Sequence, residues 1–214
     1  GNDAALFNIN STTGVVTFKV APNFESPTDR GSNNVYDINV LASDGTATAT
    51  QAVAITVTNV NEAPVITSAA TASVVENTTV AYTPVTSDPD AGTTFTYTLS
   101  GADAALFDIN SSTGVVTFKA APNYESAADA GANNVYNITV SASDGSLSTT
   151  QAVAITVTNV NEAPVITSAA TASVVENTTV AYTPVTSDPD AGTTLTYTLS
   201  GADAALFDIN GTTG

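Results

Sequence analysis

The chain repeats itself every 100 residues, and this constrains its fold more than any other feature. Residues 62–114 and 162–214 agree at all but three positions: Phe95 against Leu195, Ser111 against Gly211 and Ser112 against Thr212. Residues 1–61 align at the same offset with 101–161, with 16 differences gathered mainly between positions 20 and 49. Self-similarity at a fixed period marks a tandem array in which one folding unit is copied. The sequence is therefore expected to hold the C-terminal part of one repeat (1–61), one complete repeat (62–161) and the N-terminal half of another (162–214), a window on a longer array.

Within the complete repeat the apolar positions recur every second residue. Val80 and Tyr82 alternate with Thr79 and Ala81; Phe95, Tyr97 and Leu99 alternate with threonines. Tyr136, Ile138 and Val140, and then Val153, Ile155 and Val157, continue the pattern. Period two puts one face of a strand in a core and leaves the other in water. Shorter runs at Val65–Val75, Leu106–Ile109 and Val115–Phe118 bring the count to seven strands. Asn110-Ser-Ser-Thr-Gly114 reads as a hairpin turn with glycine at a positive φ, and Ala102–Ala105 as a single helical turn. Seven short strands in about a hundred residues predict an all-β fold of tandem seven-stranded Greek-key β-sandwiches of the immunoglobulin type. The antibody variant is disfavoured because its core Cys and Trp are missing.

Composition then narrows function. There are 20 Asp and Glu against three Lys and Arg, a formal charge of −17, and no His, Cys, Trp or Met. Three cations cannot neutralise a row of phosphates, so nucleic acid is excluded as a partner. No stretch is long and apolar enough for a membrane helix, and no membrane insertion is expected. Without His or Cys there is no imidazole base, thiolate nucleophile or disulfide. Any metal must be held by oxygen.

Letting successive strands alternate in direction sorts the acids without further input. Glu76, Asn123, Glu125 and Asn159-Val-Asn161-Glu162 fall at one pole of the repeat, and Asp88-Pro-Asp90 and Asp144-Gly145 at the other. In a head-to-tail array the two poles face each other, so these carboxylates converge at each junction. Two carboxylates at 4 Å repel by about 4 kcal/mol at intermediate dielectric. A hard cation relieves that repulsion, and flexible, oxygen-only, multidentate sites suit Ca²⁺ better than Mg²⁺. Asp3, Asp103, Asp129 and Asp203 are assigned to solvation or turn capping.

Taken in order, Val74-Val-Glu-Asn77, Asp88-Pro-Asp90, Phe107-Asp-Ile-Asn-Ser-Ser-Thr-Gly114, Asn123-Tyr-Glu125, Ala142-Ser-Asp-Gly145 and Val157-Thr-Asn-Val-Asn-Glu-Ala-Pro164 resemble the motifs of cadherin repeats. The likeness extends over the whole chain and is nearest to the bacterial cadherin-like repeats of large surface adhesins. It implies calcium between successive repeats and an extracellular, cell-surface location. Carried over by position, it implies ligands Glu25, Asn59, Asn61 and Glu62 with Asp88, Asp90 and Asp144 at the first junction. At the second it implies Glu76, Glu125, Asn159, Asn161 and Glu162 with Asp188 and Asp190. The family's acid before the Tyr-Glu pair is Asn23 or Asn123 here, the acid opening its linker is Asn59 or Asn159, and the linker is one residue shorter. Fewer charges imply one or two ions per junction, in roughly the 10⁻⁴–10⁻³ M range.

The leading expectation for function is a calcium-stiffened spacer, partnered by neighbouring repeats of the same array. A carbohydrate-binding module is the alternative, with Tyr36, Tyr82, Tyr97, Tyr124 and Tyr136 as stacking residues and a glycan or other cell-surface target, although the alternation sends Tyr82, Tyr97 and Tyr136 to the core. A further alternative is a self-complementing fibre subunit, in which chains exchange half repeats end to end in homophilic assembly. No enzymatic activity is expected, because the acids lie at the poles and not in a cleft.

Overall fold

A computed structural model describes all residues from Gly1 to Gly214. In chain order the strands are β1 (Phe7–Ile9), β2 (Val16–Phe18), β3 (Val35–Ser43), β4 (Thr48–Thr56), β5 (Val65–Ile66), β6 (Thr71–Val75), β7 (Val80–Tyr82), β8 (Thr86–Ser87), β9 (Thr96–Ser100), β10 (Phe107–Ile109), β11 (Val116–Phe118), β12 (Val135–Ser143), β13 (Ser148–Thr158), β14 (Val165–Ile166) and β15 (Thr186–Ser187). The only helical elements are three single 3₁₀ turns, at Ala4–Leu6, Ala104–Leu106 and Ala204–Leu206. The chain is all-β, as its period-two pattern requires.

Two compact units are present. One comprises residues 1–67, 85–97 and 141–150; the other comprises 68–84, 98–140 and 151–214. In the first, β1 pairs antiparallel with β2, β3 with β4, and β5 with β8. In the second, β10 and β7 flank β11, while β6 runs parallel to β13 from Thr71 opposite Ala154 to Val75 opposite Thr158. Strictly alternating strand directions demand that the first and last strands of a repeat run the same way. The four-stranded sheet of the complete repeat has the order β6-β13-β12-β9.

Local chemistry sets the hairpins. Asn110 Oδ1 accepts the backbone N–H groups of Ser112 and Thr113, and Gly114 follows at φ 74°. This is the Asx turn that joins β10 to β11. Asp144 Oδ1 caps the β12–β13 turn in the same way through Ser146 and Leu147. Gly101, at φ 113°, lies so close to β12 that a Cβ would come within 2.9 Å of the Ile138 Cα, so both the backbone sign and the space require glycine there.

An aromatic trio forms the centre of each unit. Phe107 and Phe118 pack with centroids 4.4 Å apart, and Tyr136 meets both edge-on at 5.8 and 5.1 Å. Phe7, Phe18 and Tyr36 repeat the arrangement at 4.4, 6.0 and 5.1 Å. Edge-to-face contact suits the ring quadrupoles and adds to the burial of large apolar surface. Val140, Val153, Ile155 and Val157 complete the core in the second unit, with alternate residues buried as expected.

One expected alternation fails. Val80 is 56% exposed while Ala81 and Tyr82 are both buried. The cause is a bulge: Val116 faces Tyr82 and Thr117 faces Val80, so Ala81 is an extra residue on β7. The extra residue turns two consecutive side chains inward. The buried Tyr82 hydroxyl bonds to Ser68 Oγ, Ala69 O and Gln151 Oε1. We expect Val80→Thr to change stability by less than about 0.5 kcal/mol and Tyr82→Ala to cost about 3–5 kcal/mol, measured by urea unfolding. Comparable losses for the two would remove the bulge.

Candidate metal centres

Two carboxylate clusters form, one in each unit. In the first, Glu25, Glu62 and Asp90 place oxygen atoms within 4.8 Å of one another; in the second, Glu76, Glu125 and Glu162 do so. Glu62 and Glu162 are equivalent positions, as are Glu25 and Glu125, so the 100-residue period produces the same pair of acids twice.

The link segment positions the first cluster. After β4 the chain runs through Asn59-Val-Asn61-Glu62 to Pro64, which is buried. The Glu62 N–H donates to Asp90 Oδ2 at 2.9 Å, and Asn59 Nδ2 donates to Asp90 Oδ1. Asn61 Nδ2 donates to Asp144 Oδ2 at 2.7 Å. Asp88 turns the Asp-Pro-Asp loop by accepting the Asp90 N–H on Oδ1. Of the seven residues expected at the first junction, Glu25, Glu62 and Asp90 form the cluster, Asn59 and Asn61 bond to it, Asp88 shapes its loop, and Asp144 is joined to it only through Asn61.

The second cluster uses the same segment one period later. Asn159 Nδ2 and the Glu162 N–H both reach Asp190 at 2.8 Å, and Asp188 Oδ1 accepts the Asp190 N–H. Asn161 donates only to the adjacent Glu162 carbonyl. Glu76, at the turn after β6, is 2% exposed. Its two oxygens accept the N–H groups of Val160 and Tyr124 at 2.8 and 2.9 Å, which ties the turn to the link and to the loop carrying Glu125. Asn77 was not among the expected site residues. At φ 63° it donates its N–H to the Pro122 carbonyl and its side chain to Glu162 Oε1 at 3.4 Å. Its place directly after Glu76 was the available signal.

Several carboxylate oxygens in these sites are buried without a hydrogen-bond partner: Glu25 Oε1, Glu62 Oε2, Asp88 Oδ2, Glu162 Oε2 and Asp188 Oδ2. Burial, then the charges of Glu25 and Asp90, push the Glu62 carboxyl above the usual range. Glu162 is raised in the same sense by burial and by Glu76, Glu125 and Asp190. Asp90 is held below the usual range, chiefly by the Asn59 amide and the Glu62 N–H. Asp144 is lowered by the Leu147 N–H and the Asn61 amide.

The acids assigned to solvation or turn capping behave differently. Asp103 is 2% exposed and accepts the N–H groups of Ala130 and Asn137 at 2.7 and 2.6 Å. Asp129, also buried, accepts those of Asn133 and Asn134. Asp3 and Asp29 repeat this in residues 1–61. Local capping therefore fits Asp129, whereas Asp3 and Asp103 are buried and bond to N–H groups distant in sequence without capping their own 3₁₀ turns, and Asp203 is exposed.

No family model and no curated protein matches the chain in sequence. Solved structures do match it in fold. The crystal structure of mouse protocadherin-24 EC1-3 aligns with a TM-score of 0.55 at 22% identity, covering 90% of this chain and 66% of that one. The protocadherin gammaB7 EC3-6 cis-dimer structure aligns with a TM-score of 0.55 at 21% identity, covering 98% of this chain and 55% of that one. The extracellular domain of protocadherin gammaB4 gives 0.55 at 22%, covering 98% and 37%. The chain thus spans two thirds or less of the length of these structures. It has the all-β sandwich fold of cadherin extracellular domains. No helix is long and apolar enough to cross a membrane.

The raised glutamates and the lowered aspartates oppose each other on acidification. A raised folded pKa contributes stability that is complete below the unfolded value and is lost as pH rises through the folded value; a lowered one contributes stability that is lost as pH falls through the folded value. For the metal-stripped chain we expect the thermal midpoint to rise as pH falls from neutrality towards the ordinary glutamate range and Glu62 and Glu162 take up protons, then to fall at lower pH as Asp90 and Asp144 do. Glu62→Gln with Glu162→Gln should flatten the rise. A midpoint that only falls from neutrality, measured by calorimetry, would contradict the repulsion.

Proposed function

We propose that the chain is part of an extracellular array of cadherin-like repeats, with divisions at 1–61, 62–161 and 162–214, and that it acts as a spacer whose links are stiffened by calcium. The near-identity of the repeats suits a bacterial surface adhesin or extracellular fibre in which length is the useful quantity. The observation that carries this reading is the pair of three-carboxylate clusters, 100 residues apart in their shared positions, with buried oxygens that no N–H satisfies. Such an oxygen-only donor set fits a hard divalent cation. Glu25, Glu62 and Asp88 would hold the ion at the first link, beside the N–H-bonded Asp90, and Glu125, Glu162 and Asp188 at the second, beside the N–H-bonded Glu76. A bound calcium supplies positive charge that removes the mutual repulsion of these acids and ties a link to the loops on either side.

Catalysis has no support in this arrangement. The groove of about 570 Å³ lined by Leu6, Phe18, Pro22 and Thr28 contains none of the clustered carboxylates. Sugar stacking is disfavoured because Tyr36, Tyr82, Tyr97 and Tyr136 are buried.

A ligand that binds only the folded state stabilises it by about 2.7 kcal/mol at a hundred times its dissociation constant. Saturating calcium should therefore raise the thermal midpoint and the protease resistance of the links, EDTA should reverse both, and magnesium at the same concentration should do less. Unchanged resistance and hydrodynamic radius after EDTA would overturn the reading.

A further inference from the structure

We propose that Asn59, Asn61 and Asn159 are hydrogen-bond fasteners that hold the link segment to the following aspartate loops without metal. This departs from the ligand role that the family resemblance implies for the same residues. It rests on the calcium reading only for the question of which groups remain for the ion.

The distribution of donors carries the argument. Both oxygens of Asp90 are occupied, Oδ1 by the Asn59 amide and Oδ2 by the Glu62 N–H. Asp190 is occupied identically by Asn159 and the Glu162 N–H. Asp144 accepts Asn61 on Oδ2 and two turn N–H groups on Oδ1. The unpartnered oxygens belong to other residues, namely Glu25, Glu62, Asp88, Glu162 and Asp188. The acids therefore divide into acceptors already satisfied by N–H groups and acceptors left for a cation.

The chemistry of asparagine explains the division. An aspartate at position 59 would face Asp90 with a like charge and would need a metal to stay there. An asparagine presents an N–H donor to the same carboxylate, and hydrogen bonds to an ionised acceptor are stronger than neutral ones. The same pairing at a spacing of 31 residues occurs in both copies, Asn59 with Asp90 and Asn159 with Asp190. The adjacent Glu62 and Glu162 N–H groups close a second bond to the same aspartates, so each link is pinned by a two-point contact. A link held in this way keeps its register when calcium is withdrawn, and calcium adds stiffness to a path already set.

The test uses the full chain, with hydrogen–deuterium exchange of the Glu62 and Glu162 amides in EDTA and calcium calorimetry alongside. In the unaltered chain these amides should be protected without metal. Asn59→Ala with Asn159→Ala should lower that protection about tenfold, the scale of one lost hydrogen bond, and leave the number of bound calcium ions unchanged. Asn59→Asp with Asn159→Asp should also lose protection in EDTA but recover it in calcium, which keeps the proposal testable if the alanine chain folds poorly. Wild-type protection in either variant in EDTA, or the loss of bound ions on substitution by alanine, would overturn the proposal. An unaltered chain that binds no calcium would instead remove the spacer mechanism, and the EDTA measurements would still decide the fasteners.

Discussion

Carboxylates folded to within 4.8 Å of one another, with some of their oxygens buried, must be neutralised or satisfied, and much of this molecule is arranged around that demand. The complete repeat, residues 62–161, has nine acids and the single cation Lys119, so ion pairs cannot do it. Lys119 itself donates mainly to the Ala105 carbonyl and only approaches Asp108, at 4.0 Å. Two other kinds of partner appear, and some oxygens are left with none. Backbone N–H groups satisfy Glu76, Asp103 and Asp129; side-chain amides and N–H groups together satisfy Asp90, Asp144 and Asp190; the remaining buried oxygens are those we assign to calcium.

The two kinds of satisfied acid have different structural consequences. Asp103 joins the turn after β9 to β12 and to the loop at Ala130, contacts that are distant in sequence and internal to one unit. Glu76 does the same between the turn after β6, the loop at Tyr124 and the link at Val160. Such buried carboxylates act as fixed staples because leaving either oxygen unpaired would carry the full cost of desolvation. The link acids Asp90, Asp144 and Asp190 are partly exposed, and each accepts one asparagine amide together with backbone N–H groups.

The aromatic trios operate independently of this electrostatic scheme. Phe7, Phe18 and Tyr36 reproduce the packing of Phe107, Phe118 and Tyr136 to within 0.2 Å in centroid distance, although the acids around the two sets differ. Asp37, beside Tyr36, is Asn137 in the complete repeat, and Arg30 is Ala130. The core is thus insulated from the charge pattern, as expected where non-directional burial of large rings dominates.

Much of this was legible in the linear sequence. The period, strands about Tyr136–Val140 and Val153–Val157, the Asn110 turn and the placing of acids at the poles follow from spacing and alternating strand direction, because side-chain direction in a strand alternates with residue number and a copied segment folds the same way. The bulge at Ala81, the burial of Asp103 and Asp129, and the role of Asn77 did not. Each depends on a contact with a strand or loop tens of residues away, which no local pattern records. The sequence by itself determined which residues could meet at a link: carboxylates and asparagines, with no imidazole or thiolate. Only the tertiary structure decided which carboxylates are consumed by N–H donors and which are left without a partner, because that depends on the depth and direction of each oxygen once the loops have closed.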